Sequence, residues 1–199
     1  MLVRLLAKFI VAAMALSATS WARVGETMDE CTSSYGKPIF KHDKGDFGFR
    51  IFDFANRTAK VYFYHDRSVM EVVCSKIIKY RSKDEGNELM NREFNFYLRL
   101  LKDSYGFLES DLEDAKDLEP NKSHVLESSV SHGLLTARFE VEINYEEQSA
   151  KVTVAVRGGE EIKAAMKNEL FAKAYSDFSI EAEKAADKFS KQKRVQGFQ

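Results

Sequence analysis

Apolar and polar positions alternate with a period of two in three short runs, Gly48–Phe54, Ala59–Tyr64 and Ser68–Cys74. That period belongs to β-strands, and the turn-forming Asn56-Arg57 and His65-Asp66-Arg67 between the runs predict an antiparallel meander. A short helix is expected before it. Thr27 and Glu30 have the spacing of a capping box, and Tyr35-Gly36-Lys37-Pro38 supplies a stop. From Lys83 to Tyr105 the period changes: Met90, Phe94, Tyr97, Leu98, Leu101 and Tyr105 recur at steps that place them on one face of a helix, which Gly106 ends. Strand-like segments return around His124–Val130, Leu134–Tyr145 and Ala150–Arg157, and Gly158-Gly159 breaks the last. Glu160–Lys193 then reads as a long amphipathic helix with Ile162, Met166, Leu170, Ala174 and Phe178 along one stripe and a break near Ser176–Ser179.

The expected fold class is therefore α+β, antiparallel meanders packed by helices with a long amphipathic helix at the C-terminus. Helix followed by meander occurs twice, over residues 23–82 and 83–199, which can also form one compact domain. Short echoes accompany the repeat: Ser34-Tyr35-Gly36 and Ser104-Tyr105-Gly106 close the two helices, and Ala59-Lys60-Val61 and Ala150-Lys151-Val152 each open a strand. Fifteen Phe and eight Tyr supply bulky core material, and two prolines with no low-complexity tract point to a compact chain. Phe49 and Ile51 alternate with Phe52 and Phe54, so both faces of the first meander carry bulk; either helices cover both sides or one face meets a partner.

The N-terminus changes the picture by setting a compartment. Arg4 and Lys8 are the only charges in the first 22 residues, and Phe9–Leu16 is an apolar run followed by Ser17-Ala18-Thr19-Ser20-Trp21-Ala22. A charged start, a short apolar run and small residues at Ser20 and Ala22 are the parts of a cleavable signal peptide, with cleavage expected after Ala22. The run is shorter than the ~20 apolar residues a membrane-spanning helix needs, and no later segment reaches that length. No cysteine follows the run at the junction, so a lipid anchor is not expected. The protein is accordingly expected to be exported and soluble, in a periplasm or outside the cell, without a membrane span in its mature part. Loss of Arg4 and Lys8 from 30 basic residues leaves 28 Lys and Arg against 31 Asp and Glu. Such a mildly acidic chain is a poor nonspecific binder of nucleic acid.

An oxidising compartment also permits Cys31 and Cys74 to pair. Closing that loop would contribute about 4 kcal/mol by chain entropy. Two buried thiols or an intermolecular bridge are the alternatives.

The helix that ends in Tyr35-Gly36-Lys37-Pro38, followed by three meander strands, resembles small bacterial envelope modules of the BamE/SmpA type. Two such units in tandem are similar in outline to the beta-lactamase-inhibitor-protein fold. The resemblance covers Thr27 to Cys74 and implies binding or assembly without catalysis. The chain departs from the BamE/SmpA type in lacking the lipobox cysteine.

Catalytic signatures are sparse. His42, His65, His124 and His132 lie in turns or at strand ends, none at a zinc-motif spacing. Ser128-Ser129 and Ser131-His132 are adjacent pairs without a third partner, and no nucleophile elbow occurs. The acidic stretch Glu109, Asp111, Glu113, Asp114, Asp117 and Glu119 lacks the glycine that a calcium loop requires and contains Lys116. At Gly158-Gly159, Glu160 and Glu161 already place negative charge where an anion would sit. Asn56-Arg57-Thr58 and Asn121-Lys122-Ser123 are sequons, meaningful only in a eukaryotic pathway. Neither catalytic residues nor a metal or cofactor site are assigned. The run from Lys76 to Lys83 interleaves cations with an aromatic, making Lys76, Lys79, Tyr80 and Arg81 the residues most suited to an acidic partner; an edge strand protected by lysines has the same composition. The leading expectation is a noncatalytic module that binds another exported or envelope protein. Two alternatives are a hydrolase or metal-dependent enzyme assembled from His65, His124, His132 and nearby acids, and a binder of small apolar ligands between sheet and helix.

Overall fold

The computed structural model describes residues 24–54, 56–113, 125–158, 162 and 165–196. The expected signal peptide lies outside them. Element α1 (Met28–Tyr35) is followed by β1 (Phe40–Lys44), β2 (Phe47–Phe54), β3 (Arg57–Tyr64), β4 (Arg67–Ser75) and the two-residue β5 (Ile78–Lys79). Next come α2 (Lys83–Tyr105), a single 3-10 turn (Ser110–Leu112), β6 (Val125–His132), β7 (Leu135–Asn144), β8 (Ser149–Arg157) and α3 (Glu169–Gln196). The fold is α+β, as its periodicities predict.

All eight strands join one antiparallel sheet in the order β1-β2-β3-β4-β8-β7-β6, with β5 extending the pairing of β8. The two meanders meet through their last strands. Met70 pairs with Arg157 and Cys74 with Thr153, so β4 and β8 run antiparallel at the centre. The sheet is thus arranged about a local two-fold relation between its halves. Tyr35 and Tyr105 end the first helix of each half, whereas the other echo is not equivalent in space: Ala59 opens β3, one strand out from the centre, and Ala150 belongs to central β8.

Local chemistry explains the helices. Thr27 caps α1 with both hydrogen bonds of the capping box, its side chain accepting from the Glu30 N–H while the Glu30 carboxylate accepts from the Thr27 N–H at 2.8 Å. Ser82 caps α2, and Gly106 closes it in a left-handed conformation. Helix α3 departs from expectation. It starts at Glu169, just after Asn168, whose Oδ1 accepts from the Leu170 N–H at 3.0 Å, and it runs through Ser176–Ser179 without a break. Ser179 Oγ donates back to the Ser176 carbonyl within the helix. Starting at Glu169 resets the phase. The inward stripe is Phe171, Tyr175, Phe178, Ala182 and Ala186, while Leu170 is exposed and Met166 half exposed.

Alternation sorts the first meander onto two cores. Phe52, Ala59, Val61, Phe63 and Val73 face α1 and α2, and the second half adds Ala137, Phe139, Val141, Val152, Val154 and Val156 to the same layer. Phe49, Ile51, Tyr62 and Val69 face the other way, against Phe178, Ala182 and Ala186 of α3. Helices therefore cover both sides of β2 and β3.

The same alternation overturns the expected disulfide. Cys31 and Cys74 are buried free thiols. Cys31 projects from α1 toward Glu71 and Ser68, and burial pushes its thiol up to about 12. Cys74 follows Val73 and so points to the opposite side of the sheet, paired in register with Thr58 and Thr153. A bond cannot cross a hydrogen-bonded sheet between Cβ atoms that must approach to about 4 Å. The native protein is expected to resist thiol reagents and to release two titratable thiols in denaturant without reductant. Fewer than two would contradict this arrangement.

Candidate functional site

The residues singled out by sequence do not converge. His42 on β1 stacks on Phe178 with its Nε2 3.6 Å from the Glu181 carboxylate, so it belongs to the β1–α3 contact. His65 stacks on Tyr64 in the β3–β4 turn and faces Asp46 at 3.4 Å. His132 Nδ1 lies 2.8 Å from Asp111 Oδ2, tying the end of β6 to the 3-10 turn. His124 is outside the described residues. No group of three His, Cys, Asp or Glu side chains among the described residues could hold a metal ion. Within the acidic stretch, Glu109 accepts from the Lys102 ammonium and Asp111 from the Leu108 N–H; residues 114–119 are outside the described part.

The basic run is also dispersed. Lys76 lies 3.8 Å from Asp53, and Lys79 bonds the Glu147 carbonyl at 3.3 Å. Tyr80 is buried with its ring against Gly86, so it cannot reach a partner. Arg81 is exposed and uses its N–H to bond Glu85. An aromatic in an otherwise charged run is buried here because β5 and α2 both pack over it. Lys76, Lys79 and Arg81 remain at the surface without Tyr80 to complete a patch.

Two features that the sequence did not single out hold more content. The first is Glu71, in the middle of β4 on the α1 and α2 side, fully enclosed at 1% exposure. The hydroxyls of Tyr35 and Tyr105 donate to its two carboxylate oxygens, one from each half of the chain. Burial drives the Glu71 carboxyl well above the ordinary value of 4.5, and the like charge of Glu26 adds to the shift. The echo Ser-Tyr-Gly is thus a pair of equivalent anchors on a single acid. Around it, Arg50 forks onto Asp43 at 2.5 and 3.1 Å, and Arg57 forks onto Glu93 of α2 at 2.7 and 3.1 Å with its guanidinium 3.6 Å from the Phe96 ring.

The second feature is a difference in cover. The outward faces of β1 to β3 are packed by α3, whereas on the outward face of β6, β7 and β8 the described helical residues reach only the end marked by Thr136 and Arg157. That face shows Ser129, Thr136, Arg138, Glu140 and Glu142 beside Lys151, Thr153, Ala155 and Arg157, all exposed or half-exposed. Lys151 lies 4.0 Å from Glu142 across the strands. Strand lengths and spacing make the surface about 30 Å long and about 14 Å wide. It is flat, rigid and of mixed charge, and its backbone is fully paired within the sheet at its centre.

No protein-family model matches the chain, and a search of the curated proteins finds no match. Among solved structures, a cysteine-rich secretory protein from Staphylococcus aureus aligns with 11% identity and a TM-score of 0.37, over 72% of this chain and 46% of that one. The chain therefore spans just under half the length of that protein.

Proposed function

We propose that this protein is an exported, noncatalytic module that binds another exported or envelope protein through the outward face of β6, β7 and β8. The observation that carries the reading is the asymmetry of cover: among the described residues, helices shield both sides of the first meander and leave most of the outward side of the second open. A sheet face held rigid from behind by α2 loses little entropy on docking. Its mixed charges favour a protein surface of complementary pattern over the uniform phosphate charge of nucleic acid. The face covers about 400 Å², half of the ~800 Å² per partner in a standard interface, so a partner must also touch the flanks. Exposed Leu134 in the β6–β7 hairpin lies there, beside Thr136 and Arg157. The charged and apolar leader before Arg23 supports the compartment, and the separate local contacts of His42, His65 and His132 support the noncatalytic part of the reading.

Residues 23–199, immobilised, are expected to retain a partner from an extract of the exported compartment. Thr153→Arg combined with Ala155→Glu is expected to lower retention at least about thirtyfold, the effect of losing one strong contact. Arg92→Ala on the opposite side of the molecule should leave it unchanged. Equal retention by both variants would rule out this face. Secretion from a host of the same type should yield a chain whose mass lacks residues 1–22.

A further inference from the structure

Where the sheet loses its helical cover, a cavity of about 340 Å³ opens between the strand ends and the segment leading into α3. Its apolar lining comes from Val69, Met70, Ile162, Leu134 and Met166, the last two 37% and 43% exposed at the rim. Its polar lining includes Thr136 and three groups able to meet an anion, Tyr175, Arg157 and Lys167.

Each of those three is short of a partner of its own kind. No carboxylate among the described residues lies within ion-pair distance of Arg157 or Lys167, whereas Lys44 and Lys60 on the neighbouring strands each pair with a glutamate of α3. Tyr175 is half-buried, and its hydroxyl donates only to the Met70 sulfur at 3.7 Å, a weak acceptor. Burial raises the phenol to about 12, with Arg157 acting in the opposite sense. Two cations and a donor hydroxyl in the lining of a largely apolar cavity form an electrostatic and hydrogen-bonding match for an anion attached to an apolar chain.

Two further cavities among the described residues lack this combination. The one of about 520 Å³ between β1 to β3 and the end of α3 is larger, but its Lys60 already pairs with Glu183 at 2.8 Å, and Tyr62 donates to the same carboxylate. The one beside Tyr80 is only about 190 Å³.

We propose that the cavity between β4, β7, β8 and α3 binds a single-chain amphipathic anion, its chain against Val69, Met70 and Ile162 and its head group held by Arg157, Lys167 and the Tyr175 hydroxyl. This inference does not depend on the protein-binding role of the open face. The shared ligand chemistry is an anionic head on an unbranched alkyl chain, from a fatty acid or from a phosphate ester.

Titration calorimetry on the purified protein with decanoate, decyl phosphate, decanol and decyltrimethylammonium tests it. Decanoate or decyl phosphate is expected to bind at one site per chain, about ten- to a hundredfold more tightly than decanol, with the cationic probe weakest. Whichever anion binds more tightly identifies the source of the head group. Arg157→Gln with Lys167→Gln, at exposed positions that leave the fold intact, should reduce the anions to the level of decanol and leave decanol unchanged. Thr136→Phe, at a half-exposed wall position, should abolish binding of all four probes without lowering the melting temperature. The proposal is overturned if neither anion binds at millimolar concentration, if decanol equals the anions, or if the doubly substituted protein binds them as the native protein does.

Discussion

Glu71→Gln is expected to raise stability at neutral pH by about 1–3 kcal/mol, because the amide is neutral without taking up a proton on folding, and to flatten the pH dependence of folding. In the unfolded chain this carboxyl ionises around its ordinary value of 4.5, whereas in the folded protein burial holds it protonated to a much higher pH. Over the window between those two values the folded state binds a proton that the unfolded state has released. Stability is therefore greatest below the unfolded value and falls as pH rises toward the folded one, by up to about 1.4 kcal/mol per pH unit. Glutamine is neutral throughout. Its amide oxygen can accept from one tyrosine, and its amide nitrogen can donate to the other once that hydroxyl turns. Glu30 and Glu181 act in the opposite sense, because hydrogen bonds to Thr27 and to Lys44 lower them. Both are unchanged in the variant, so the difference between the two proteins isolates Glu71. Denaturant unfolding at about pH 5 and about pH 8 measures it; parallel pH curves would show that Glu71 carries no such proton.

Gly158→Ala is expected to cost about 2–5 kcal/mol, from the sum of a strained backbone and an overpacked contact. Gly158 has a φ of 151°, and a Cβ there would lie 2.3 Å from the Leu134 carbonyl oxygen and 3.0 Å from the Leu135 Cα. Both atoms are backbone of the β6–β7 connection, so neither can swing aside as a side chain would. The Gly158 N–H also donates to the Val69 carbonyl at 3.3 Å, holding the end of β8 against the start of β4. A melting temperature lower by about 5–15 °C is the expected reading for a domain of this size. Gly133→Ala separates the two causes. Gly133 has a φ of 56° and no neighbour within 4 Å of a built Cβ, so its cost should stay near 1 kcal/mol. Equal losses at the two glycines would show that the close approach of Leu134 is unimportant.

The elements that the residue pattern predicts are those whose cause is local. Thr27 and Glu30 cap α1, Gly106 ends α2, and Met90, Tyr97, Leu98, Leu101 and Tyr105 are buried together as their spacing requires. Strand β1 escaped because Lys41, His42, Asp43 and Lys44 leave Phe40 as its one large apolar residue; an edge strand half in water is held chiefly by backbone pairing with β2. The start of α3 was legible in Asn168-Glu169 ahead of Leu170-Phe171, but a continuous apolar stripe from Ile162 concealed it. Cysteine count and compartment pointed to a bridge, whereas the alternation through Val73 already set Cys74 on the side away from α1. The joining of β4 to β8 had no local signal, since Val72 and Ala155 meet only when both meanders exist. Glu71 could have been noticed as the one acid in Val69-Met70-Glu71-Val72-Val73, and the tyrosine echo as its complement. The open face and the cavity beside α3 depend on where a helix does not lie, which no residue spacing encodes.

The seam between β4 and β8 has a bearing on when the chain can fold. Residues 24–113 by themselves would present β4 with one side of its backbone unpaired, and the first core layer would lack Val152, Val154 and Val156. Completion waits for residues 149–157, near the far end of the chain. Placing the closing strand late means that the first half cannot complete its sheet or its core layer until the last quarter of the chain is present.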